Sequence, residues 1–141
     1  NEGILNRNMK FSIIYVSVLI TIGVLILFKW AMVKYSGSAD YIDKIETIAF
    51  TSLVIMELAR LQAIRSEHKI GIFSNKYLIY AVLASILLQL VVIYTPLRKF
   101  FDTVYLSFLD WGMILIVSAG VFIISMAGMF IKNKFLEKKS T

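Results

Sequence analysis

The chain has 141 residues, and 59% of them are hydrophobic, above the roughly 45–50% of soluble domains. It has no cysteine and one histidine, His68, which excludes a disulfide framework, a thiolate or multi-histidine metal cluster and any Cys/His catalytic set. The net charge is +6, but the basic residues flank long apolar runs instead of forming one patch, so they read as membrane topology and not as a nucleic-acid surface.

Residues 1–10 are polar and include Arg7 and Lys10. No basic n-region, short apolar core and small-residue cleavage site marks a signal peptide. The first residue is Asn1, so the chain reads as part of a longer polypeptide, with a trimmed terminus as the plain alternative. The run 11–28 has no charge, and extended to Val33 it exceeds the roughly 30 Å of a hydrocarbon core at about 1.5 Å per residue. A first transmembrane helix is expected at 11–33. Lys29, Trp30, Lys34 and Tyr35 end it with snorkelling lysines and interfacial aromatics. Ser36-Gly37-Ser38-Ala39-Asp40 is a loop, and 41–46 is an interfacial turn or the start of the next helix.

A second span is expected at 45–64, carrying Glu57. The polar stretch 65–76 follows, with His68 solvated and Ser74 or Asn75 available as a cap. The third span is expected at 77–94. Pro96 stops it, because proline disfavours helical geometry in the residue before it, Thr95. A fourth span is expected at 104–131. Near its start Asp110 favours the helix N-terminal dipole and Trp111 anchors the interface. Lys132, Lys134, Lys138 and Lys139 form a basic tail suited to anionic lipid. The two termini and the loop after span two, counted with Arg60 at the end of that span, hold ten Lys and Arg, against five in or beside the other two loops, so both termini are expected in the cytoplasm. The fold class is all-α: a polytopic membrane protein with four transmembrane helices in a bundle.

Glu57 is the costly residue. A central Asp, Lys or Arg costs about 2.5–3.5 kcal/mol, and each Leu or Ile returns only about 0.3–0.6. If Glu costs the same, several aliphatic residues offset it, and a chain that tolerates it uses it. Three roles are open: a hard oxygen ligand for a cation, an ion pair with Arg60 at i+3, or a proton carrier. Glu57 alone cannot hold Ca²⁺, which takes about six to eight oxygens, and no second acid lies deep in the spans. Ser85 and Gln89, with Ala81, share a face that reads as an interhelical hydrogen-bonding seam. Ser17 and Thr21 read the same way. Gly120, Ala127 and Gly128 suit close helix packing. The chain has neither a G-x-x-x-x-G-K-[ST] loop nor an Asp-Lys-Thr-Gly stretch, so no catalytic residues are expected in it.

Around Glu57 the pattern becomes specific. Thr47-Ile48-Ala49-Phe50-Thr51-Ser52-Leu53-Val54-Ile55-Met56-Glu57-Leu58, then Arg65-Ser66-Glu67 and Phe73-Ser74-Asn75-Lys76-Tyr77-Leu78, resembles the C-terminal transmembrane region of type II P-type cation-transporting ATPases. Tyr94-Thr95-Pro96-Leu97 and Phe101-x-Thr103-Val104-x-Leu106-x-x-x-x-Trp111 continue the likeness, and Ile4-Leu5-Asn6-Arg7 resembles the lead-in to that region. The resemblance implies that the four spans are helices seven to ten of a ten-helix pump, calcium-pump-like. It places Glu57 on the eighth-helix glutamate that ligates Ca²⁺, with Arg60, Gln89 and Ser85 as modulators. It implies that the other ligands lie in helices outside this chain, and that ATP and Mg²⁺ act in cytoplasmic domains of the parent. The implied partners are those helices and domains and the lipid bilayer, with no nucleic acid. The implied location is a membrane, the plasma membrane in a prokaryote. Arg60 departs from the asparagine frequent after that glutamate and suits a proton-pumping member or a single-site calcium pump. A stand-alone four-helix assembly or regulatory subunit is the alternative from another class.

Overall fold

A computed structural model describes residues 7–67 and 76–139 as four α-helices and one 3₁₀ turn. The helices are α1 (Arg7–Lys34), α2 (Tyr41–Glu67), α3 (Lys76–Tyr94) and α4 (Phe108–Lys139), with the 3₁₀ turn at Pro96–Lys99. The expected spans 11–33, 45–64 and 77–94 fall inside α1, α2 and α3. His68, Ser74 and Asn75 lie outside the described residues.

Three of the helices have segments long and apolar enough to cross a membrane: Lys10–Lys34, Lys76–Tyr94 and Phe108–Lys132. α2 is not among these segments. Asp43, Lys44, Glu46, Glu57 and Arg60 interrupt it. Its 27 residues nonetheless reach about 40 Å, the length of a span.

α1, α2 and α4 pack against one another, and α3 packs closely on α2 alone among the helices. Leu27, Ile48, Met56 and Ile114 fill the three-helix interior. In lipid such a core is held by van der Waals fit and interhelical polar contacts, because the tails outside are equally apolar. Gly23 supplies part of that fit. A Cβ there would lie 2.7 Å from Val121 Cγ2 and 2.9 Å from Met56 Cε, so α1 meets α2 and α4 only because the side chain is missing. Gly128 does the same for Tyr15, whose hydroxyl donates to the Ile124 carbonyl at 3.1 Å. The other small residues expected to pack closely do not: Gly120 faces open space and Ala127 is exposed.

Contacts at the two ends fix an up-down-up-down order. At one end Lys34 of α1 and Tyr35 just beyond it meet Asp110 of α4, and Lys44 of α2 donates to the Tyr105 carbonyl. At the other, Lys132 of α4 donates to Ser12 of α1 at 2.6 Å. The 36–40 loop and the 95–107 connection therefore lie together. Gly37 takes φ +93° in the first of them, a left-handed geometry that a side chain would strain.

The fourth helix starts at Phe108, four residues later than expected. The preceding segment is pinned elsewhere. Thr103 Oγ1 donates to the Val92 carbonyl at 3.0 Å, and the Val104 amide donates to Thr47 Oγ1 at 3.0 Å. Ser107 then caps the helix. Its Oγ accepts from the Asp110 amide at 3.3 Å, and the Asp110 carboxylate accepts from the Ser107 amide at 2.7 Å. This is a capping box with Asp in the third position. The stop of α3 follows the proline expectation: Thr95 is extended at φ −111°, ψ 173°.

Candidate functional site

Glu57 sits on a stripe of α2 with Glu46, Phe50, Leu53 and Leu61, spaced four, three, four and four residues apart. That spacing puts them on one helical face. The opposite face, with Ile45, Ile48, Ser52 and Met56, enters the core. The Glu57 side chain is 45% exposed, so no other described helix of this chain covers it. Its one described polar partner is Arg60, whose Nε donates to Oε2 at 2.8 Å. The i, i+3 spacing brings the pair together on adjacent turns.

The two polar residues of α3 stand apart from Glu57. Gln89 is buried and its Nε2 donates to Thr51 Oγ1 at 2.9 Å. Thr51 is six residues before Glu57, about 9 Å along the axis. Gln89 therefore supports the expected interhelical seam. Ser85 does not join it: its hydroxyl donates to the Ala81 carbonyl within α3 at 2.9 Å. Thr21 likewise donates to the Ser17 carbonyl, on an exposed face of α1. No group of three or more His, Asp or Glu able to hold a metal forms among the described residues.

A second polar cluster lies at the end where the two short connections meet. Asp110 is fully buried, yet both carboxylate oxygens are satisfied. Lys34 Nζ is 2.7 Å from Oδ1, the Tyr35 hydroxyl donates at 2.7–2.8 Å, and the Ser107 amide and hydroxyl donate to Oδ2 at 2.7 and 2.8 Å. Lys34 also lies over the Trp30 and Tyr35 rings, at 4.7 and 4.9 Å. The expected dipole role of Asp110 is only part of what it does, and Lys34 turns inward to a carboxylate instead of snorkelling to the interface. The pair joins residues 76 apart, which no local pattern announces. The Ser107-x-x-Asp110 box was the available signal. Trp111 also points to protein, its Nε1 donating to the Tyr94 hydroxyl at 2.8 Å.

Cluster and stripe have different chemistry. The Asp110 cluster has spent its acceptors and works as a clamp between α1 and α4. Glu57 presents a carboxylate on an open helical face, held by a single guanidinium. The chain belongs to the family described as cation transporting ATPase, C-terminus, whose model matches residues 1–131. It is 36% identical over 129 residues to the mouse calcium-transporting ATPase type 2C member 2, covering 88% of this chain and 13% of that protein. It is 35% identical over 122 residues to a calcium-transporting ATPase of Bacillus subtilis, covering 84% of this chain and 13% of the relative. A Yarrowia lipolytica calcium-transporting ATPase 1 is 33% identical over an alignment covering all of this chain and 15% of the relative. The chain thus spans about an eighth to a seventh of the length of the relatives it matches. Family and apolar helices together make it a multi-pass integral membrane protein.

Proposed function

We propose that residues 1–141 are the C-terminal membrane domain of an ATP-driven calcium pump, and that Glu57 contributes one carboxylate to the pump's ion site. The observation that carries the reading is the place of Glu57 on an α2 stripe that no other described helix of this chain covers. Lipid is a poor neighbour for a carboxylate, so that stripe faces protein or a water-filled path. The calcium-transporting relatives supply the ion. The remaining oxygens come from other membrane helices of the parent, because Ca²⁺ takes about six to eight. ATP and Mg²⁺ act in its cytoplasmic domains, and this bundle scaffolds the ion path.

In this reading α2 is the fourth span, at 45–64 beside 11–33, 77–94 and 104–131. Three of its charges have partners: Arg60 pairs with Glu57, and Lys44 reaches the Tyr105 carbonyl. Both termini are cytoplasmic, and the membrane is the plasma membrane in a prokaryote.

The test is the complete protein in sealed vesicles with ATP and Ca²⁺, Mn²⁺, Na⁺ or a proton gradient supplied in turn. Ca²⁺-stimulated hydrolysis and uptake are expected. Hydrolysis indifferent to Ca²⁺ would reject the ion. For the residue, Glu57→Gln should weaken Ca²⁺-dependent phosphorylation by ATP at normal expression, and an unchanged Ca²⁺ titration removes Glu57 from the site.

A further inference from the structure

We infer that the connection between α3 and α4 is a lipid anchor: its aromatic side chains enter the bilayer at the headgroup boundary, and Arg98 and Lys99 meet the phosphates of the same phospholipids. Three observations lead to it.

The first is the level at which the connection lies. Both tryptophans of the chain and three of its seven tyrosines gather at this end of the bundle. Lys34 stands over the Trp30 and Tyr35 rings, and Tyr35 donates to Asp110. Trp111 donates to the Tyr94 hydroxyl, and the Tyr94 and Tyr105 rings lie 5.7 Å apart. Trp and Tyr collect where spanning helices leave the hydrocarbon for the headgroups. The 95–107 connection therefore lies at that boundary and not beyond it in water.

The second is the direction its side chains face. Phe100 is 84% exposed, Phe101 58% and Phe108 94%, with Tyr105 half-exposed, whereas Thr103 is buried. A large apolar surface turned outward marks a contact with something other than water. The rings are held outward because the segment is tied on its inner side. Thr103 Oγ1 donates to the Val92 carbonyl, the Val104 amide to Thr47 Oγ1, and the Tyr94 hydroxyl to the Leu106 carbonyl. The adjoining 36–40 loop is the contrast: Ser, Gly, Ser, Ala and Asp, all exposed and without a ring. One connection suits water and the other an apolar medium.

The third is charge. Arg98 and Lys99 end the 3₁₀ turn directly before Phe100, and neither pairs with an acid among the described residues. Arg98 lies over the Tyr105 ring, 4.2 Å from its centre, which leaves its N–H donors for another acceptor. Asp102, the one acid of the connection, lines a recess with Glu46 of α2. Rings beside cations are the composition of segments that lie in the interface, with the rings at the acyl boundary and the cations on anionic headgroups. A covering protein helix would have to bring acids for Arg98 and Lys99, whereas every phospholipid carries a phosphate. The same connection bonds Lys44 and Thr47, so the anchor fixes the depth at which α2 stands in the bilayer.

The experiment attaches a nitroxide at Phe100→Cys, Phe108→Cys or Ser38→Cys in the complete protein, with any cysteines elsewhere replaced, in vesicles of phosphatidylcholine and phosphatidylglycerol. Collisions with oxygen, which concentrates in the bilayer, are compared with collisions with a water-soluble nickel chelate. The labels at 100 and 108 are expected to favour oxygen several-fold more than the label at 38. Equal ratios at all three positions would put the connection in water and overturn the anchor. Shielding of 100 and 108 from both reagents would show that protein covers them, which overturns it too. Arg98→Gln with Lys99→Gln is expected to lower the oxygen preference at Phe108→Cys, and an unchanged ratio overturns the phosphate contact. A second measurement leaves the connection unaltered. Phosphatidylcholine with a diazirine near its glycerol is photolysed with the unmodified complete protein, and adducts are expected in 97–109 but not in 36–40. Adducts on Ile116 and Ile123 of α4 with none in 97–109 would reject the lipid contact.

Discussion

Asp110 and Glu57 are both carboxylates in a membrane bundle, and their surroundings assign them opposite work. Asp110 has four donors around it and no exposure, so it is structural. Removing one partner of such a pair strands the other charge and typically costs about 3–5 kcal/mol, whereas replacing both by apolar groups is often neutral. Lys34→Met should therefore destabilise the protein strongly in detergent unfolding, and adding Asp110→Leu should recover part of the loss. Equal losses in the single and double variants would show that the pair is not coupled. The Glu57–Arg60 contact was legible in the sequence because i, i+3 neighbours on a helix must meet. The Lys34–Asp110 contact was not, since 76 residues separate its ends and each side chain has a sound local reading at an interface.

The helices were readable to within a few residues wherever hydropathy decides. The exception, the start of α4, shows what hydropathy leaves out. Val104 and Leu106 prolong the apolar run, but Thr103 and Val104 give their hydrogen bonds to α3 and α2, and Ser107 with Asp110 sets the true N-terminus. Small residues mislead in the same way. Gly23 and Gly128 touch neighbours and Gly120 does not, because composition does not say which face a glycine occupies. Gly23→Ala should lower stability by about 1–3 kcal/mol through overpacking against Val121 and Met56. Gly120→Ala should be neutral or gain up to about 1 kcal/mol from helix propensity. Thermal unfolding of the two variants separates them, and equal midpoints would deny the close approach of α1. The hold on α3 is weaker. Its link to α2 through Gln89 and Thr51 is worth about 0.6 kcal/mol by analogy with other membrane hydrogen bonds, so Thr51→Val should loosen α3 while barely moving the midpoint.

On the scale of the whole molecule, the arrangement is asymmetric. α1, α2 and α4 form the packed unit, while much of α3 is open to its surroundings, with Tyr77 85% exposed. This asymmetry fits a domain that is finished on one side and completed by other helices of a pump on the other. The order of ends seen in the structure puts the 36–40 loop beside the 95–107 connection and α1's start beside α4's end. The distribution of basic residues then assigns the sides: ten Lys and Arg with the termini, the 65–76 segment and Arg60 just before it, five in or beside the other two loops. That assignment needs α2 to cross the bilayer, although its charges keep it out of the apolar set. If it crosses, the two short connections share one side of the membrane and Lys134 lies on the other. The absence of native cysteine makes this measurable in the complete protein once any cysteines elsewhere in it are replaced. Ser38→Cys and Asp102→Cys should react with an impermeant maleimide in intact cells, and Lys134→Cys only after permeabilisation. Labelling of Ser38→Cys and Asp102→Cys from opposite sides would mean that only one of α2 and α3 crosses, and the four-span bundle would have to be abandoned. Labelling of Lys134→Cys alone from outside would keep the spans and invert the orientation.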